Sequence, residues 1–154
     1  MVQADIYFLS LLFRTYEGQN LIIHLSNGYE LKGFVGKLST NHSVVEISNE
    51  SPTKRYISLC EIIGVESTNG IPLALPRRSG SRYEKIVLQL SPCAAAMNAK
   101  AYELHKVNAI VSIFAAGEVA ENVHISDIVP GLIAVNNQVF VTAKIIELQH
   151  VLLE

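Results

Sequence analysis

Between Leu21 and Ile47 the chain reads LIIHLSNGYELKGFVGKLSTNHSVVEI, two apolar stretches that meet at an Asn-Gly and a third behind a short polar cluster. NLIIHL alternates weakly and is rich in β-branched residues. YELKGFVGKL alternates more clearly, with Leu31, Val35 and Phe34 as inward candidates, and HSVVEIS is a third run. KRYISLCEIIGVES supplies a fourth strand that bends into a fifth. Asn27-Gly28 predicts a type I′ hairpin, because both central residues of that turn need φ > 0. Ahead of these strands, DIYFLSLLFRTYEG places Ile6, Leu9 and Phe13 on one side of a short helix, capped by Asp5 and ended by Gly18.

The second half echoes the first. At a shift of about 88 positions, Ile22, Ile23 and Leu25 meet Ile110, Val111 and Ile113, and Glu30-Leu31 meets Glu118-Val119. Val44-Val45-x-Ile47 meets Leu132-Ile133-x-Val135 and, with a shorter loop, YIS-LCEII falls on FVT-AKII at Phe140–Ile146. Between the halves, STNGIPLALPRRSGSR (Ser67–Arg82) has the composition of a linker or long loop. SPCAAAMNAKAYELHK then predicts a helix with Ser91 as cap and Pro92 in its first turn. The expected organisation is a short helix followed by five strands, twice: residues 1–67, a linker at 68–85, and 86–154.

Composition narrows the function classes. The chain is 49% hydrophobic and 17% charged, more apolar than an average soluble domain. Its longest apolar runs, IYFLSLLF and VLQLSPCAAAM, are too short to cross a bilayer as helices. The surplus points instead to oligomer interfaces. MVQADIYFLSLLF lacks the positive start and small-residue cleavage site of a secretory signal. With Cys60 and Cys93 as the two cysteines, a cytoplasmic protein with free, buried thiols is expected.

No His or Cys spacing suggests a metal, and no cofactor is expected. His24, inside the first strand, reads as a structural histidine. There is no phosphate-binding glycine loop, GxSxG, HExxH or paired-carboxylate segment, so no catalytic residue is assigned and the chain reads as a non-enzyme. Charge is uneven. From Ala101 onward only Lys106 and Lys144 oppose Glu103, Glu118, Glu121, Asp127, Glu147 and Glu154, and such a half repels a polyanion.

The opening stretch resembles the Sm-like family of LSm and Hfq-type proteins. LSNGYELKGFVGKL-STNHSVVEI fits the order of the family's first motif, with Asn27-Gly28 at the turn and Gly33 in a bent second strand, and RYISLCEIIGVE resembles the second motif. The fit covers roughly Asp5 to Ser67 and, more faintly, Pro92 to His150. It implies a mainly β fold of two small, strongly bent five-stranded Sm-like or SH3-like barrels in tandem, each preceded by a short helix.

Gly33 and Gly36 would permit the bending. Such barrels leave strand edges that demand partners, which implies a homo-oligomer joined through them. The implied ligand is single-stranded RNA. Asn41 and His42 would offer hydrogen bonding and stacking to a base, and Lys54, Arg55 and Tyr56 two cations beside an aromatic ring. Arg77, Arg78, Arg82 and Lys85 form the densest basic cluster. The family's usual contact residues are replaced: its loop Asp falls at Ser39, its base-contacting Asn near Ser43, and its Arg-Gly at Tyr56-Ile57. The alternative reading is therefore a structural or protein-interaction scaffold with no nucleic-acid role.

Overall fold

The computed structural model describes residues 2–39, 43–49, 53–77 and 88–152. A short strand β1 (Val2–Gln3) leads into helix α1 (Ala4–Thr15). Then come β2 (Asn20–Leu25), β3 (Glu30–Leu38), β4 (Val44–Ser48), β5 (Lys54–Ser58), a 3-10 turn at Leu59–Glu61, and β6 (Ile62–Ser67). In the second half β7 (Leu88–Gln89) precedes helix α2 (Pro92–Lys106), β8 (Ile110–Ala115), β9 (Glu118–His124), β10 (Asp127–Val129), β11 (Leu132–Val135) and β12 (Gln138–Val141). A 3-10 turn at Thr142–Lys144 and β13 (Ile145–His150) complete it.

The protein is mainly β, as the hydrophobic pattern predicts, and its two larger sheets are antiparallel. One has eight strands in the order β10-β11-β12-β6-β2-β3-β4-β5, the other three in the order β13-β8-β9, and neither is closed. In the first half the last strand, β6, lies beside the first, β2, and β3, β4 and β5 follow in turn. The same order recurs in the second half, where the run β9–β10 is interrupted at Ile125 and Ser126 and passes from the small sheet to the large one. β12 pairs with β6, so the large sheet takes strands from both halves.

Local sequence explains most elements. Phe8, Leu9, Leu12 and Phe13 fall on one face of α1 and are buried. Asp5 sits within the first turn, while the capping position is Gln3, which makes no side-chain cap. At α2 the Ser91 hydroxyl accepts from the Ala94 amide at 3.2 Å, with Pro92 just inside, as the sequence predicts. The hairpin at Asn27-Gly28 is not type I′. Only Gly28 has positive φ (+87°), and Leu25 bonds Tyr29 across a three-residue loop, so one left-handed residue suffices. Phe34 faces outward, 46% exposed, because Val35 takes the inward position beside it.

Two clusters make up the core, and each draws on both halves. The first packs α1 against Leu21, Ile23, Val35, Ile47 and Val65 and extends to Leu132, Ala134, Val139 and Val141. The second joins Ala101 and Leu104 of α2 to Val111 and Ile113, with Ile133, Val135, Phe140 and, from β6, Ile63. Consecutive residues of β11 and β12 thus point alternately into one cluster and the other, which is why LIAV and VFV are apolar at every position. The start of the expected linker is also packed. Leu73 and Leu75 join the first cluster, and the Ala74 amide donates to the Tyr16 hydroxyl at 2.8 Å.

Candidate functional site

Among the described residues the two larger sheets end in four strands, of which β9 and β10 are the two parts of the run that passes from one sheet to the other. The other two are β5 (KRYIS), at one end of the large sheet, and β13 (IIELQH), at one end of the small one. β5 carries Lys54 and Arg55, whereas β13 carries Glu147, so the two edges differ in charge.

Of the five residues assigned to RNA, Asn41 and His42 lie outside the described residues. Lys54, Arg55 and Tyr56 fall on the edge strand β5 and are exposed, Tyr56 by 65%. Strand alternation divides them. Lys54 and Tyr56 oppose Ser48 and Glu46 of β4 on one face, and Arg55, opposite Ile47, points to the other. Lys54 is also engaged, its ammonium 3.4 Å from the Glu46 carboxylate. In the basic cluster, Arg77 is paired with Asp127 of the second half at 2.5 Å, and Arg78, Arg82 and Lys85 lie outside the described residues. Cys60 and Cys93 are exposed rather than buried: one follows Leu59 in a 3-10 turn, the other sits in the first turn of α2.

The most unusual chemistry lies at the seam where β6 meets β12. His24 of β2 is buried, with Nε2 3.2 Å from Oε1 of Glu66 and 3.3 Å from Oε2 of Glu118. The first approach is a hydrogen bond. The second is close enough for an ion pair but lacks hydrogen-bond geometry, and both Glu118 oxygens are buried without a hydrogen-bond partner. On the other side of the ring, His24 Nδ1 is 4.0 Å from the exposed Glu30 carboxylate. Burial, and next the Glu66 carboxylate, push the Glu118 carboxyl up to about 9. Glu118 is therefore protonated at neutral pH.

Gly64 makes room for this arrangement. A Cβ there would lie 2.3 and 2.4 Å from the Glu118 oxygens and 2.4 Å from the Val139 carbonyl oxygen. A glycine inside the strand IIGVES is the sequence signal for such a close approach. What it admits could not be read from the strand. Among the described residues no group of three or more His, Cys, Asp and Glu is placed to hold a metal ion, and no helix is long and apolar enough to cross a membrane.

Compared with protein-family models, with curated proteins and with solved structures, the chain matches none.

Proposed function

We propose that the chain is a non-catalytic Sm-like module, two small bent five-stranded barrels in tandem, that assembles with further copies of itself through its strand edges. One observation supports this above the rest: the last strand of the first half, β6, pairs with β12, the fourth main strand of the second, while the fourth strand of the first half, β5, and the last of the second, β13, each keep one side unpaired. The edges of β5 and β13 are thus of the same two kinds that already pair inside the chain. Their opposite charges favour contact of β5 on one copy with β13 on the next, a head-to-tail association that closes into a ring or grows.

Light scattering on the full chain tests this. A mass of several chains is expected, and Ile57→Pro on β5 should reduce it, since proline cannot donate to a new ladder. A monomer at about 100 µM and low salt, a concentration at which edge pairing of even modest affinity would register, would overturn the assembly.

Single-stranded RNA is the ligand this reading favours, held by Lys54, Arg55 and Tyr56 together with Asn41 and His42. Binding of poly-U and poly-A should fall steeply with salt and weaken in Lys54→Ala/Arg55→Ala. The scaffold reading has its own support in the Glu46–Lys54 pair and the acidic second half. Absence of RNA binding at low salt decides for it.

A further inference from the structure

Three residue pairs join β12 to β6: Gln138 with Glu66, Val139 with Val65, and Phe140 with Gly64. Glu118 lies against that short seam from β9, its side chain wholly buried and both oxygens without a hydrogen bond. We propose that Glu118 is a proton-operated latch on this seam: protonated, it lets β6 and β12 stay paired, and on losing its proton it sets a second carboxylate against Glu66 and lets the two strands part.

The surroundings offer an ionised Glu118 little relief. The groups that face it are Glu66 from β6 and His24 from β2, with Glu30 of β3 behind His24. Its register partner on β8 is Ala115, and β12 contributes Gln138, whose amide donates to the Val119 carbonyl, so neither brings a charge. His24 Nε2 stands between the two carboxyls and is hydrogen-bonded to Glu66 at 3.2 Å. Among the described residues, no lysine or arginine pairs with either glutamate. Even a Cβ on Gly64 would collide with the carboxyl, so no space is left beside it on the β6 side. A buried carboxylate without a partner is costly, and the unfavourable ionisation of Glu118 agrees with this. Opening the seam hydrates the carboxylate and exposes the β6 and β12 edges, each then free to pair elsewhere. The latch acts within one chain and so holds whether or not β5 and β13 pair with other copies.

The experiment uses the full chain with ¹³C-labelled glutamate side chains. The Glu118 carboxyl resonance, assigned by its loss in Glu118→Gln, is followed from pH 4 to pH 10, and amide exchange at residues 64–66 and 138–140 is measured over the same range after correction for intrinsic rates. The resonance should stay that of a protonated carboxyl through neutral pH. Seam protection should fall by up to about tenfold per pH unit above pH 6 in the native chain and be flat in Glu118→Gln, whose amide keeps the size without the titration. An ordinary carboxylate titration at Glu118 overturns the proposal. So does an equal slope in the variant. If Glu118→Gln does not fold, resonances assigned by backbone correlation in the native chain still decide between the two titrations.

Discussion

Gly64 and Glu118 depend on each other, and each could be understood only with the other in place. Replacing Gly64 by alanine puts a methyl within 2.3 Å of the Glu118 carboxyl and 2.4 Å of a backbone oxygen, of which only the first can move away. Gly64→Ala should therefore cost about 1–3 kcal/mol in urea unfolding, the range for overpacking a tight site. Glu118 also sets a pH dependence. Its carboxyl sits near 4.5 ordinarily and about 9 in the fold, so between those values the native state keeps a proton that the unfolded chain has lost. Stability should then fall as pH rises through that window, by at most about 1.4 kcal/mol per unit, and level off above it. Glu118→Gln should flatten the profile, as thermal unfolding at pH 6, 7 and 8 would record. From the sequence His24 was legible as a structural histidine. Glu118 was visible only as the counterpart of Glu30 in the repeat, and the burial of one and exposure of the other follow from the seam rather than from local context.

At the scale of elements the sequence reads well wherever a short-range interaction decides the outcome. The Ser91 cap, the strand–turn–strand of KRYISLCEIIGVE and its counterpart near Phe140 all depend on neighbours a few residues away. Ser91→Ala should lower stability by about 1 kcal/mol and shorten α2, a loss measurable by circular dichroism and unfolding. The errors arise where two local solutions compete. A two-residue and a three-residue hairpin both satisfy Asn-Gly, and the longer loop won because only Gly28 needs a left-handed backbone. Phe34 and Val35 were both apolar candidates for one inward position, and the pleat admits only one of them. Among the candidate RNA residues, β5 does bring Lys54 and Tyr56 to one face, but it turns Arg55 to the other.

Over the whole molecule, the two halves complete each other's cores. Val139 and Val141 belong to the cluster around α1, while Ile63 belongs to the cluster around α2. A fragment ending at residue 77 would leave Leu21, Ile23 and Val65 without these neighbours, and it should show no cooperative unfolding transition alone. Mixed with a fragment of residues 78–154, it should recover one, with β6–β12 pairing as the link; calorimetry of the separate and combined fragments checks this. Phe140, fully buried in the cluster around α2 beside the seam, should cost about 3–5 kcal/mol when truncated to alanine. The sequence by itself determined that the chain is mainly β, that a helix precedes the main strands of each half, where the second helix begins, and that the halves share an order of strands, because periodicity, caps and turns act over a few residues. Tertiary structure alone decided that one sheet runs through both halves, that β11 and β12 serve two cores, and that His24, Glu66 and Glu118 meet. Those outcomes depend on which edge finds which partner across the length of the chain, and no local pattern encodes that choice.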